Sequence, residues 1–359
     1  MTNTHGMMKK VSLTGIQQLR MESVPIPAIQ NATDVKLRIA CIGVCGSDMH
    51  YYTSGRIGAQ VVRYPFTVGH ECSAIVESTG SAVTRVKPGD LVAVEPAMSC
   101  GDCDQCRANR HHTCRKLNFL GCPGQKEGCM SEFLVMPEAC CFPVGPAVTP
   151  EEAAWVEPLS IGIYAAHLAG NLSHAHIGIL GCGPIGLSVI MAAHQQGVKR
   201  IWATDRLAYR LEAARRAGAD AACDIEKEDA DKCLQQEAPL QLDVVFECCG
   251  QQSALDQAVA WLKPGGKLLL IGIPETDRVT FNMDLLRRKE ICIQNVRRQN
   301  GCVTEAVQSV TSGILNNKRL TTHRFSLEQS QAAFDLVADY RDKVIKAMIY
   351  PGKEMEPAP

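Results

Sequence analysis

Between residues 176 and 296 the chain alternates short, continuously apolar runs with amphipathic ones. The apolar runs His176–Leu180, Arg200–Thr204, Ala221–Ile225, Leu242–Cys248, Lys267–Ile273 and Glu290–Val296 predict six strands. Between them, apolar residues recur at helical spacing at Leu187, Val189, Ile190 and Met191, and helices are predicted over Leu207–Ala217 and Ser253–Leu262. Strands that are apolar on both faces and separated by helices imply a doubly wound parallel sheet, with ligand-binding loops at the carboxyl ends of the strands. The first 160 residues read differently. Their short strands are broken by glycine and proline turns, as in Val86-Lys-Pro-Gly-Asp-Leu-Val-Ala-Val94, which predicts a barrel-like, mostly antiparallel domain. After Val296 the pattern changes to a helix over Val303–Leu315, the run His323-Arg-Phe325, a helix over Leu327–Asp339 and a last strand, Lys346–Tyr350. Residues 1–160 and 297–359 are therefore read as one domain and residues 161–296 as an insertion, with the active site expected in the cleft between them. No solenoid-type repeat or low-complexity linker is visible.

Composition narrows the class. The chain has 359 residues, 46% of them hydrophobic, which suffices for two cores. Lys and Arg total 37 against 38 Asp and Glu with no long like-charge run, so neither a nucleic-acid nor a membrane partner is expected. The first ten residues lack the apolar segment of a secretory signal, and the expectation is a cytoplasmic protein. In a reducing compartment most of the 18 cysteines are buried apolar residues or metal ligands and not disulfide partners.

Four of those cysteines form the sharpest motif. Cys100, Cys103 and Cys106 recur every third residue and Cys114 follows, a spacing that closes a four-sulfur shell around a structural zinc ion. A closed shell leaves no place for substrate, so the chemistry lies elsewhere. A second set of donors flanks the lobe: Cys45, the pair His70-Glu71 after Gly69, and Glu157 in Trp155-Val-Glu-Pro158. One thiolate, one imidazole and two carboxylates can supply the three protein ligands of an open, catalytic zinc site. Asp48 is a candidate to accept the second N–H of a ligating imidazole.

The run His176-Ile-Gly-Ile-Leu180-Gly181-Cys-Gly183-Pro-Ile-Gly186 leads from a strand into a helix with the glycine spacing of a dinucleotide-binding turn. Asp205 ends the next predicted strand, 19 residues past Gly186. A carboxylate there accepts from a ribose 2′-hydroxyl and repels a 2′-phosphate, which favours NAD, although the adjacent Arg206 is also able to receive a phosphate.

Taken together, these residues resemble the zinc-containing medium-chain alcohol dehydrogenases, and within them the sorbitol and other polyol dehydrogenases. The resemblance rests on Cys45-Gly-Ser-Asp-Met-His50-Tyr51, Gly55-Arg-Ile-Gly58, Gly69-His70-Glu71, the four-cysteine lobe, Glu157-Pro-Leu-Ser160 and the glycine turn. It implies a GroES-like catalytic domain beside a Rossmann domain, a homotetramer, and catalytic zinc at Cys45, His70 and Glu157, with Glu71 as a further or water-mediated ligand. It further implies Tyr51 beside the substrate, and NAD held by Ile185, Asp205, Arg210 and the region of Gly272 and Ile273. The family's arginine–tyrosine pair corresponds to Arg298 and Gln299, so the tyrosine is replaced by a carboxamide and the particular polyol is open. Proton release is expected through Ser47 to His50, or through a water held by Glu157 or Glu71; Ser47 and His50 are equally readable as turn residues. Two other classes remain in view: a zinc dehydrogenase for an amino alcohol such as threonine, with Arg297 or Arg298 gripping its carboxylate, and an idle NAD-binding protein whose thiols sense oxidation.

Overall fold

The computed structural model describes residues 6–239, 241–313 and 320–352. They divide into two compact units, the first comprising residues 6–157, 303–313 and 320–352 and the second residues 158–302.

The first unit is built on a seven-stranded, mostly antiparallel sheet in the order Cys141–Pro143, Leu91–Val94, Glu71–Thr79, Asp34–Gly43, Lys346–Tyr350, Thr321–Ser326. The strand Phe133–Pro137 also pairs with Asp34–Gly43, and only the last two strands in that order run parallel to one another. Asp34–Gly43 shows why this segment is central. Val35, Leu37, Ile39 and Cys41 are buried at period two, the signature of a strand with one face on a core. One edge pairs along its length with Glu71–Thr79. The other is shared, with Phe133–Pro137 at its start and Lys346–Tyr350 at its end. The core beneath includes Leu37, Ile42, Tyr52, Phe334 and Ile349, with the rings of Tyr52 and Phe334 edge to face at 5.3 Å.

The second unit is a six-stranded sheet whose pairings are all parallel. In order of appearance its strands are His176–Leu180, Arg200–Asp205, Ala221–Asp224, Leu242–Glu247, Leu262–Leu270 and Cys292–Asn295, and their order across the sheet is 3-2-1-4-5-6. This is the doubly wound arrangement expected, and the direction of winding reverses between the first and fourth strands, where such sheets open a ligand crevice. Its core is separate from that of the first unit and is centred on Trp202, Trp261, Val245 and Leu268. The two indoles meet edge to face at 4.9 Å.

Several local structures differ from expectation. The helices Ala230–Glu237 and Met283–Lys289 and the hairpin Met7–Gly15/Gln18–Pro25 were not anticipated. The helix expected over Val303–Leu315 is present as Val303–Thr311, and residues 314 and 315 lie outside the described residues. Among the described residues no helix is long and apolar enough to cross a membrane.

At the reversal point the glycines are required sterically. Gly181 adopts φ +93°, and a Cβ on Gly186 would stand 2.0 Å from the Gly181 carbonyl oxygen. Gly186→Ala must therefore push the helix Pro184–Gln195 away from the turn. The expected loss is about 1–3 kcal/mol, read by thermal unfolding together with weakened nucleotide binding; an unchanged unfolding profile would contradict this packing.

Candidate metal and nucleotide sites

Sheet register brings three of the donors that flank the cysteine lobe together. Gly43, near the end of the central strand, pairs with Glu71 at the start of its neighbour. Two residues beyond Gly43, Cys45 caps the helix Gly46–Ser54, and His70 immediately precedes Glu71. The Cys45 sulfur, a His70 ring nitrogen and a Glu71 oxygen all lie within 4.8 Å of one another. Asp48 organises this corner. One carboxylate oxygen accepts the Cys45 N–H at 3.2 Å, and the other accepts the Gly69 N–H at 3.2 Å and faces His70 Nδ1 at 3.5 Å. That contact sets the ring with Nε2 turned away from Asp48, as in metal sites where a carboxylate orients the ligating imidazole. Burial alone would lower the His70 pKa, but Cys45 and Asp48 outweigh it and raise the pKa well above the ordinary value. A thiol, an imidazole and a carboxylate converging within ligand reach are a donor set suited to a zinc-type cation, which would take the place of protons on Cys45 and His70.

Glu71 has a partner that the sequence pattern does not reveal. Lys346 opens the last strand, is 1% exposed, and its ammonium forms an ion pair with Glu71 while lying 5.5 Å above the Trp155 ring. Burial pushes the lysine pKa down, yet Glu71 and then Cys45 outweigh burial and raise it. Gly43 makes room for the pair: a Cβ there would lie 2.5 Å from a Glu71 oxygen and 2.8 Å from Lys346 Cε. The visible signal is a lysine at the head of an otherwise apolar strand, Lys346-Ala-Met-Ile-Tyr350.

Glu157 stands outside the three-donor cluster. It is buried near the start of the helix Val156–Ala169, and burial, with Glu71 and Glu95, pushes its carboxyl up to about 8 against the opposing pull of His70 and Lys346. The structure thus groups Glu71, not Glu157, with Cys45 and His70, because strand register carries Glu71 to Gly43 whereas Glu157 arrives from a helix. Ser47 and His50 lie on the helix Gly46–Ser54 and not in a turn. The Ser47 hydroxyl donates to the Cys45 sulfur at 3.3 Å. Tyr51 is buried on the core side of that helix, its hydroxyl donating to Gln60 Oε1 at 3.3 Å, and Gln60 in turn donates to the Cys122 sulfur at 2.9 Å.

The cysteine lobe fits a closed zinc shell. Sulfur separations are 3.4 Å for Cys100–Cys114, 3.6 Å for Cys103–Cys106, and 3.9 Å for both Cys100–Cys106 and Cys103–Cys114. A tetrahedron with Zn–S bonds of about 2.3 Å has edges of about 3.8 Å, so the four sulfurs already stand at ligand spacing. Backbone N–H groups donate to two of these sulfurs. The Cys114 sulfur accepts N–H groups from Cys100 and Lys116, and backbone bonds from Arg115 and Cys106 lower Cys103 to about 6.

In the second unit, Gly183 caps the helix Pro184–Gln195, on which Ile185 and Gly186 occupy the first turn. A Cβ on Gly183 would approach the Arg210 guanidinium to 3.6 Å, so Arg210 lies against the phosphate-type cradle. Asp205 ends the second strand with one oxygen accepting the Cys182 N–H at 2.7 Å and the other the Leu207 N–H at 2.9 Å. It remains 7% exposed, and Arg206 beside it is exposed. Gly272 is held to glycine by close approach: a Cβ would lie 2.3 Å from the Gly250 nitrogen and 2.8 Å from Glu247 Oε2. Ile273 next to it is 38% exposed. Glu247, not anticipated from sequence, is buried at the end of the fourth strand and accepts the N–H groups of Cys249 and Gly250 at 2.7 and 2.6 Å. Arg298 adopts a left-handed φ of 56°, and the Gln299 side-chain oxygen accepts the Cys302 N–H at 2.9 Å.

A mostly antiparallel unit with one closed and one open donor set, and a doubly wound nucleotide-binding unit, define a zinc-binding dehydrogenase. Residues 31–146 match the alcohol dehydrogenase GroES-like domain and residues 184–312 the zinc-binding dehydrogenase domain. The chain is 35% identical to a sorbitol dehydrogenase of Bacillus subtilis, covering 96% of this chain and 98% of that protein, and 33% identical to an L-idonate 5-dehydrogenase of Vitis vinifera, covering 91% and 90%. The solved structure of a candidate zinc-binding dehydrogenase from Sinorhizobium meliloti, bound to NADP, superposes with a TM-score of 0.87 at 27% identity, covering 96% of this chain and 100% of that one. The chain belongs to the zinc-containing medium-chain alcohol dehydrogenase family, and is an oxidoreductase that uses zinc and a nicotinamide dinucleotide.

Two substitutions test the donor sets. Cys103→Ser is expected to lower the zinc content by one ion per chain and to reduce thermal stability, measured by metal analysis and unfolding; unchanged zinc would contradict the closed shell. Lys346→Ala leaves Glu71 buried without its partner and is expected to cost the metal-free protein about 3–5 kcal/mol in urea unfolding. A loss below about 1 kcal/mol, the range of an exposed pair, would show that the pair does not stabilise this corner.

Proposed function

We propose that this protein is an NAD-dependent polyol dehydrogenase that oxidises a secondary hydroxyl of a sugar alcohol, sorbitol- or xylitol-like, to the ketose. The observation that carries the reading is the convergence of half-buried Cys45 with buried His70 and Glu71 in a chain similar along nearly its whole length to a sorbitol dehydrogenase. In this reading the first unit is the catalytic domain and the second holds the nucleotide, with boundaries three residues before and six after the 160/161 and 296/297 expected from sequence, and the active form is a cytoplasmic homotetramer.

Cys45, His70 and Glu71 would hold the zinc ion, which when bound would supply Lewis acidity to the substrate hydroxyl, and the nicotinamide would supply the hydride acceptor. The remaining work falls to the chain itself. Asp48 holds the His70 ring in one orientation and the Cys45 backbone in place. Lys346 keeps a second carboxylate–cation contact on Glu71, which limits the negative charge the cluster presents. The hydride leaves the carbinol carbon and the proton leaves its oxygen. Ser47, whose hydroxyl already lies beside the Cys45 sulfur, is the first relay for that proton, with His50 one helical turn further along. Glu157, buried near His70 and Glu71, is the carboxyl that orders a water on the open side of the cluster. Gly181, Gly183, Ile185, Gly186, Arg210, Gly272 and Ile273 hold the dinucleotide. Asp205, mostly buried and fixed by two backbone N–H donors, selects NAD because a 2′-phosphate would face a carboxylate. Tyr51, through Gln60, and Arg298 with Gln299 shape the preference among polyols.

The test is an assay of reduced-cofactor absorbance with NAD or NADP, a panel of polyols and threonine. Turnover of polyols with NAD is expected, and Cys45→Ala is expected to abolish it while NADH binding, followed by fluorescence, persists. Turnover of threonine alone, or normal turnover by Cys45→Ala, would overturn the proposal.

A further inference from the structure

Among the described residues three groups of metal-type donors converge, and two of them are the sets already described. The third lies in the nucleotide-binding unit. We propose that Cys223, Glu228 and Cys233 form an additional metal site for a thiophilic divalent ion of the zinc or cadmium type. Their two sulfurs and one carboxylate oxygen all lie within 4.8 Å of one another.

Three successive pieces of chain build this arrangement. Cys223 is the third residue of the edge strand Ala221–Asp224 and is buried in the apolar core. Cys233 is on the helix Ala230–Glu237 and is half-buried, and Glu228 comes from the exposed segment between them. The carboxylate is oriented and does not hang free in solvent. Its Oε1 accepts the Asp224 N–H at 3.0 Å, while Oε2 receives the Cys233 thiol at 3.7 Å. The position of Cys233 is set by the helix start, where Asp229 accepts the N–H groups of Asp231 and Lys232 at 3.2 Å each and its carbonyl accepts the Cys233 N–H at 2.9 Å.

The donor chemistry selects the ion. Two sulfurs disfavour calcium and magnesium, which take oxygen ligands, and suit zinc or a softer ion. Three protein donors with an exposed side leave one coordination place to water, unlike the closed four-sulfur lobe. An ion here would therefore exchange more readily than one in the lobe. It would also tie the end of the edge strand to the helix that follows it. That strand end matters, because Asp224 is paired with Asp205 and the Ile225 N–H donates to the Asp205 carbonyl at 3.2 Å. The site braces the strand ends at the residue assigned to the ribose.

The experiment compares the reduced full-length wild type with Cys233→Ser and Glu228→Gln after equilibration with Zn2+, counting bound ions by native mass spectrometry. Wild type is expected to hold one zinc ion per chain more than Cys233→Ser, and Glu228→Gln to lose the same ion on brief exposure to a mild chelator that spares it in the wild type. Because Cys233 and Glu228 are at or near the surface, circular dichroism and retained dehydrogenase activity establish that the variants are folded. Equal zinc content in wild type and Cys233→Ser overturns the proposal. So does a Cys223–Cys233 disulfide in the isolated protein whose reduction brings no gain in bound zinc.

Discussion

The first unit depends on how it buries charge. Glu71 lies where a carboxylate is costly, almost without solvent, and is stable there because Lys346 stands directly against it from the opposite edge of the central strand. That pair sits beside a thiol, an imidazole and a second buried carboxylate, Asp48. The three-donor cluster is consequently a built feature, held by strand register on one side and by a helix cap on the other. A cation held there would take the place of protons on Cys45 and His70, donors that the fold has already gathered.

The nucleotide unit solves a different problem, that of close approach. Gly186 against the Gly181 carbonyl, and Gly272 against Gly250, are contacts that any Cβ would break. They lie at the carboxyl ends of the strands beside the reversal in strand order, where a pyrophosphate needs bare backbone and a helix N-terminus. Glu247 and Asp205 end neighbouring parts of the same sheet, each gathering two backbone N–H groups, so the loops that line the crevice are pinned by carboxylates from below.

Much of this architecture is legible in the order of the amino acids. The four-cysteine lobe and the glycine turn are local motifs, and local spacing is what a sequence displays directly. The alternation of buried strands with helices similarly marks the parallel sheet. The features that are not legible depend on contacts distant in sequence. That Glu71 falls within reach of Cys45 and His70 follows from its pairing with Gly43, and Lys346 gains its role only by meeting a residue 275 positions away. The helix Ala230–Glu237 gives little signal because it is mostly polar, with only Ala230 and Leu234 buried. The strand Gln18–Pro25 gives little because it is largely exposed and shows no alternation. Weak patterns of this kind are settled by neighbours, not by the segment itself.

In the proposed function Cys45, His70 and Glu71 share one ion at a corner organised by Asp48 and Lys346. Anomalous diffraction at the zinc edge from crystals of the zinc-loaded protein tests it most directly. One anomalous peak is expected at bonding distance from the Cys45 sulfur, His70 Nε2 and a Glu71 oxygen, separate from a second peak inside the four-cysteine lobe. A peak confined to the lobe, with no density among these three side chains, would contradict it.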